Sequence, residues 1–202
     1  MALTIPIAHD FICPWCWVGM IQAKRLKDEF DVTLEWRGFE LFPDELEWPD
    51  SASADPPPAN KPLTPTRFEF LLLNENLEMP KSERPKKMRT HNAHEAVEYA
   101  KTQGRADLMI QALYNAYWKE GKDINDPTVI AHLSRGILED HESLATAIQE
   151  RRYRDAIVGF DNDAYKAGVY NVPTFFIGGE RYAEQPYSVL KKAVMKLQAA
   201  PE

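Results

Sequence analysis

Both cysteines of this chain, Cys13 and Cys16, fall in the run Asp10-Phe11-Ile12-Cys13-Pro14-Trp15-Cys16-Trp17-Val18-Gly19. Two thiols spaced Cys-x-x-Cys, where an apolar strand pattern gives way to a helical one, suit two-electron thiol–disulfide exchange. A sulfur at that junction faces unpaired backbone N–H groups and the positive end of the helix dipole. Both favour thiolate over thiol, so Cys13 is expected to be the attacking sulfur. Cys16, one helical turn further in, is placed to attack a mixed disulfide on Cys13 and release its partner.

The same spacing also occurs in zinc sites and structural disulfides. Zinc normally takes four ligands, and here there is no second cysteine pair, while His9, His91, His94, His132 and His141 are scattered. No metal is therefore expected. A lone cysteine pair in a reducing compartment is more often catalytic than structural. Pro173, in Val172-Pro173-Thr174-Phe175-Phe176-Ile177, reads blandly as the first residue of a strand, where its missing N–H costs little. The reading favoured here is a cis Val172–Pro173 bond facing the cysteines, with the Val172 backbone left to pair with substrate. Pro14 and Trp15 lie between the sulfurs and bear on the redox poise, Pro14 because it offers no N–H.

Other residues carry less. Asp10 reads equally well as a solvated carboxylate at a strand end or as a group exchanging a proton with Cys16. Trp17, Tyr117 and Trp118 are expected to pack. His94 falls on the polar side of the stripe Ala93, Ala96, Val97, Ala100 and reads as an ordinary surface or capping histidine. Arg151, Arg152 and Arg154 read as a solvated face.

The elements that must hold the cysteines are legible around them. Thr4 to His9 reads as a first strand, with Pro6 near its start. From Cys16 to about Phe30 apolar residues recur at helical spacing, and Val32, Leu34 and Trp36 then alternate with polar residues in a strand running towards Leu41. Strand, catalytic turn, helix and strand make a parallel βαβ unit. Seven prolines between Pro43 and Pro65 point to an extended surface connector. Helices are expected from Phe68, across Ala93 to Ala100, and from Ala106 to Tyr117 with a stop at Gly121. Others are expected after the Asp126-Pro127 cap and around Ser143 to Gln149. A helix over Arg154 to about Ala167, a strand from Val172 to Ile177, a Gly178-Gly179 hairpin turn and an amphipathic closing helix complete the chain. Without its helical middle the order is β-α-β…α-β-β-α, that of a thioredoxin fold. The expected fold class is α/β: a discontinuous thioredoxin-like domain (1–42 and 151–202), a Pro-rich connector (43–65) and an all-helical insertion or cap (66–150).

Composition sets outer bounds. The chain has 202 residues, 44% hydrophobic and 27% charged, a globular balance. A net charge of −7 argues against nucleic acid or an anionic membrane as partner, and no apolar run reaches the length of a membrane span. The start, Met1 to His9, lacks the basic head and apolar centre of a secretion signal, so a cytoplasmic address is expected.

Three tracts, Asp10 to Gly19, Ala116-Tyr117-Trp118-Lys119-Glu120-Gly121-Lys122-Asp123-Ile124 and Val172-Pro173-Thr174-Phe175-Phe176, resemble the DsbA-like thioredoxin-fold oxidoreductases, FrnE-type branch. The resemblance spans nearly the whole chain in family order. It implies a redox-active Cys13–Cys16 pair, a cis-Pro173 beside it, and a helical cap that overhangs the cysteines and helps form the substrate cleft. It also implies that Thr90 and Ala93-His94 approach the site, although Arg89 stands where the family commonly has a polar amide. The related 2-hydroxychromene-2-carboxylate isomerases usually carry Ser, with bound glutathione, where Cys13 stands. The expectation is a thiol–disulfide oxidoreductase with Cys13 and Cys16 catalytic, and Pro14, Trp15, Val172 and Pro173 meeting a protein or small-molecule thiol or disulfide. It needs no cofactor beyond its own redox pair, with glutathione a candidate reductant. The alternatives are a glutathione-dependent isomerase or transferase and a non-catalytic protein-binding module.

Overall fold

A computed structural model describes residues 2–48, 64–159 and 162–199. Strand β1 (Leu3–His9), helix α1 (Pro14–Glu29) and strand β2 (Val32–Glu40) come first. The two strands pair in parallel, from Leu3 opposite Val32 to His9 opposite Gly38, as the βαβ pattern requires. Five helices follow: α2 (Arg67–Glu75), α3 (His91–Lys101), α4 (Ala106–Trp118), α5 (Pro127–Ser134) and α6 (Glu142–Gln149). The chain then returns through β3 (Val158–Gly159), α7 (Asn162–Lys166), β4 (Thr174–Ile177), β5 (Glu180–Ala183) and α8 (Tyr187–Gln198). The sheet runs β3-β2-β1-β4-β5, with β4 antiparallel to β1 and β5 antiparallel to β4. This is a thioredoxin fold interrupted after β2 by helices. Most of the proline-rich connector, 49–63, lies outside the described residues.

Local chemistry accounts for the element ends. Thr66 and Glu69 form a reciprocal capping box at the start of α2. The Asp126 carboxylate accepts the Thr128 N–H at 2.7 Å ahead of Pro127, satisfying a helix-start donor. Gly178 and Gly179 hold φ of 60° and 83°, the pair of positive values that a tight hairpin between β4 and β5 demands.

Two expectations need correction. Pro6 stands mid-strand rather than near its start; β4 meets β1 only at Ile7 and Ala8, so Pro6 lies beyond that ladder and its missing N–H is tolerated. The expected helix over Arg154 to Ala167 is broken into a 3-10 turn (Arg154–Ala156), β3 and the short α7. Ile157 and Val158 are β-branched, and the end of β2 offers an open edge: Phe39 pairs with Val158 and Glu40 with Gly159. Strand pairing there overrides the helical spacing.

The core lies around β1, where Ile5, Ile7 and Ala8 are fully buried in one cluster with Val18, Ala23 and Leu26 of α1. The stripe Met109, Ile110 and Leu113 of α4 is equally buried. One carboxylate, Glu75 at the end of α2, ties three helices together. It pairs with Arg25 of α1 at 2.7 Å, accepts from Gln22 at 3.1 Å and accepts the Tyr187 N–H at the start of α8 at 2.6 Å.

Gly19 of α1 faces the ring of Pro173: a Cβ there would lie 2.8 Å from its Cγ and 3.0 Å from its Cβ. Gly19→Ala gains about 1 kcal/mol of helix propensity but forces the rigid ring aside, at about 1–3 kcal/mol. The expected net result is a lower urea midpoint at an unchanged m-value, together with slower reaction at Cys13 because the Val172–Pro173 segment is displaced. A midpoint above wild type would show that the ring yields freely.

Candidate active site

Cys13 is the N-cap of α1, with φ −74° and ψ 122°, and Pro14 is the first helical residue. Its side chain makes no capping bond to the helix. Instead the thiol donates to the Val172 carbonyl at 3.4 Å. The Val172–Pro173 peptide is cis, as favoured from the sequence, and the Pro173 carbonyl accepts the Glu184 N–H at 3.1 Å. Both cysteines are free thiols, but they differ in exposure: Cys13 is 7% exposed and Cys16 1%. Cys16 receives the Asp10 backbone N–H at 3.5 Å. Burial, and next the hydrogen bond and charge of Cys13 beside it, push the Cys16 thiol well above its ordinary value. Both sulfurs are therefore buried, Cys16 the more deeply, and Cys16 stays protonated at neutral pH.

The loop joining β1 to α1 is held by the inserted helices. Tyr114 and Trp118, one turn apart on α4, donate to consecutive carbonyls: the Tyr114 hydroxyl to Asp10 at 3.2 Å and the Trp118 indole N–H to Phe11 at 2.8 Å. With its single proton given to Asp10, the Tyr114 oxygen accepts from His9 Nδ1 at 3.1 Å, which fixes the His9 tautomer. Burial, then the charge of His94, hold His9 well below the usual histidine value, so it is neutral. Trp17, Tyr117 and Trp118 pack as expected.

Asp10 is not the solvated strand-end carboxylate of one reading: it is 0% exposed. One oxygen, Oδ2, accepts the Leu41 N–H at 2.8 Å; the other, Oδ1, faces His94 Nε2 at 3.4 Å. Nor is His94 a surface histidine, at 1% exposed. Helical spacing misplaced it because α3 is buried on nearly every side, His91, Glu95 and Tyr99 included. Its ring occupies the space that Gly38 leaves on β2, where a Cβ would come within 2.7 Å of Nδ1. The start of α3 is fastened to the end of β2 by Glu40, which accepts the Thr90 N–H at 3.2 Å and faces His91 Nδ1 at 3.4 Å. Glu95 takes the other ring nitrogen of His91 at 3.2 Å. None of Gly38, Glu40, Glu95 and Tyr114 was singled out from the sequence; a glycine inside a strand, a mark of close approach, was the one available signal.

Trp15 lies beside the first inserted helix, its ring 4.9 Å from that of Phe68 and 5.1 Å from the Arg67 guanidinium. A cavity of about 370 Å³ opens against Ile12, the residue before Cys13, with Phe42, Trp48, Met88 and Tyr117 in its walls. Arg89 builds one wall by donating to the carbonyls of Phe42, Pro43 and Leu46. Arg151, Arg152 and Arg154 are exposed and paired with Asp44, Glu150 and Glu45. Among the described residues no three His, Cys, Asp or Glu side chains are disposed to hold a metal ion, and no helix is long and apolar enough to cross a membrane.

A family model described as DSBA-like thioredoxin domain matches residues 4–194. The chain belongs to that family. Its chemistry is thiol–disulfide exchange, which suits a Cys-x-x-Cys at a helix start. The chain is 26% identical over 181 residues to YwbO of Bacillus subtilis (strain 168), a protein described as uncharacterized, covering 88% of each. Among solved structures, a 2-hydroxychromene-2-carboxylate isomerase superposes with a TM-score of 0.66 at 16% identity, over 97% of this chain and 96% of that one. The cytosolic disulfide reductase DsbM from Pseudomonas aeruginosa, solved with GSH, gives 0.64 at 15% identity, over 96% and 100%. At these identities the two structures share the fold with this DSBA-like chain.

The buried titratable groups set a pH window for stability. His9 is depressed from 6.5, so below that value the unfolded chain binds a proton that the native state refuses, and stability falls as pH falls. Cys16 is raised from 9.0, so its contribution is complete below that value and is lost as pH rises above it. The reduced protein is expected to melt highest between those limits, and Cys16→Ala to flatten the alkaline limb. Melting temperatures across pH, scanned with a reductant present, check both slopes.

Proposed function

We propose that this chain is a thiol–disulfide oxidoreductase that works through Cys13 and Cys16. The observation that carries the reading is the pairing of the Cys13 thiol, placed between a helix start and the Val172 carbonyl, with a second, more deeply buried sulfur hydrogen-bonded to it. The Cys13 thiolate attacks one sulfur of a substrate disulfide, and the other sulfur leaves with the bond's electron pair and takes a proton. Cys16 attacks Cys13 as a thiolate, and the proton it gives up is taken by the substrate sulfur that leaves. The Cys13–substrate bond breaks, the second substrate thiol leaves, and the two electrons delivered remain balanced by a Cys13–Cys16 disulfide. Run backwards, the same steps oxidise a dithiol.

Pro14, Trp15, Val172 and Pro173 form the surface that the substrate meets, with the Val172 backbone as its hydrogen-bonding partner. The redox pair stores both electrons itself, so no bound cofactor is required. Glutathione is the proposed reductant, a choice supported by the GSH in the DsbM structure. A cytoplasmic setting fits this assignment, since a reducing pool returns the pair to dithiol. The glutathione-dependent isomerase reading is disfavoured by two sulfurs within hydrogen-bonding reach, which that chemistry does not use.

Turnover of a simple disulfide with glutathione as reductant tests the proposal. Cys13→Ser is expected to fall to background, at least about a hundredfold. Cys16→Ser is expected to accumulate a mixed disulfide on Cys13, visible by intact mass. Turnover that survives both substitutions would overturn the reading, and an isomerase or transferase activity that is indifferent to Cys16→Ala would replace it.

A further inference from the structure

Ile12 stands one peptide bond ahead of Cys13, their Cα atoms about 3.8 Å apart, and lines the cavity of about 370 Å³ described above. The other apolar walls come from three separate parts of the chain: Phe42 and Trp48 after β2, Met88 ahead of α3, and Tyr117 on α4. The Phe42 and Trp48 rings stack 4.6 Å apart and 26° from parallel, which gives the cavity a flat aromatic wall.

These walls are tied down by the fold. Arg89 donates to the carbonyls of Phe42, Pro43 and Leu46 and lies 4.8 Å over the Trp48 ring, fastening that stretch to the start of α3. Arg84 donates to the Pro80 and Ser82 carbonyls and lies 4.5 Å over the Trp118 ring. The Ser82 hydroxyl donates to the Trp118 carbonyl, so the segment leading to Met88 is fastened to α4. Preformed cavities lined by apolar and aromatic groups, with a few polar groups at their edge, are the usual form of small-molecule sites.

Charge narrows the occupant. The chain carries −7 overall, yet the charged side chains lining this cavity are Lys86 and Lys87. Both are exposed, and neither has an ion-pair or hydrogen-bond partner among the described residues. Other cations close to the cysteine motif are engaged: Arg67, over Trp15, pairs with Glu184 at 2.8 Å, and Arg89 is spent on carbonyls. A flat apolar wall edged by two uncompensated positive charges is complementary to an aromatic ring bearing a carboxylate. We infer that this cavity selects the half of the substrate that Cys13 captures, and that this half is an aryl thiol bearing a carboxylate.

This inference rests on the redox reading and names a substrate class for it. The Cys13 thiolate attacks the sulfur whose aryl group is seated in the cavity. A Cys13–S bond forms, the substrate S–S bond breaks, and the other half leaves with the electron pair. The seated half stays until Cys16 attacks Cys13; it then leaves with the electrons of the Cys13–S bond and takes the proton that Cys16 gives up.

The test follows capture alone. In Cys16→Ser the adduct on Cys13 persists, and its rate of formation is read by quenched-flow intact mass. Three disulfides are compared: dithiobis(nitrobenzoate), an aryl dianion; dithiodipyridine, aryl and neutral; and dithiodipropionate, an aliphatic dianion. Each rate is divided by that of a free thiol with the same disulfide, which removes intrinsic reactivity. The normalised rate for the aryl dianion is expected to exceed both others at least about fivefold, and the margin to shrink as salt is raised. Adding Lys86→Gln with Lys87→Gln, both at exposed positions, is expected to lower the ratio of aryl dianion to neutral aryl at least about fivefold. A ratio unmoved by the lysine substitutions, or an aliphatic dianion captured as well as the aryl one, would overturn the inference and leave the redox reading intact. So would lysine substitutions that slow capture of a disulfide-linked peptide but not of the aryl dianion, since a polypeptide would then be the occupant. Failure to form an adduct with any of the disulfides would overturn the redox reading as well.

Discussion

Taking the short loop ahead of Cys13 out of water is the step on which the rest of the molecule depends. Asp10 and Phe11 are completely buried, and each buried backbone carbonyl without a partner costs about 1–3 kcal/mol. The sheet cannot supply those partners, because the chain has already left β1 and has not yet entered α1. The insertion supplies them: Tyr114 and Trp118, side by side on one face of α4, take the Asp10 and Phe11 carbonyls in turn. The acid itself is met by the Leu41 N–H and by His94. The helical part is thus as much a wall of the cysteine site as the sheet is.

Holding the loop still gives the two sulfurs unequal surroundings. Cys13 ends up against a carbonyl of the Val172–Pro173 segment, which closes on α1 because Gly19 leaves room for the proline ring. Cys16 ends up inside, where a charge is expensive and the thiol form is stabilised. The two sulfurs of one motif thus meet different neighbours: a backbone carbonyl for Cys13 and the Asp10 N–H for Cys16.

Much of this was readable beforehand, and the parts that were not share a cause. The cysteine motif, the βαβ start, the cap at Asp126, the Gly178-Gly179 turn and the α4 stripe each announce themselves within a few residues. The cis bond at Pro173 followed from pairing a proline-led strand with the cysteines. His94 was misplaced because amphipathic spacing assumes a helix with one wet face, and α3 has almost none. The 154–167 tract was misread because the open edge of β2, some 120 residues upstream, decides the conformation of Val158. Asp10 was ambiguous for the same reason: its partners, Leu41 and His94, are brought to it by the fold.

The partners of the Cys13 loop come late in the chain. Trp118 lies 107 residues beyond Phe11, and Val172 lies 159 beyond Cys13. A chain emerging from the ribosome at about 5–20 residues per second therefore shows both thiols to its surroundings for several seconds before any shelter exists. During that interval the pair has neither its carbonyl neighbour nor its interior position, and an oxidant meets two ordinary cysteines. Newly made molecules thus meet passing disulfides before the fold has set the two sulfurs apart.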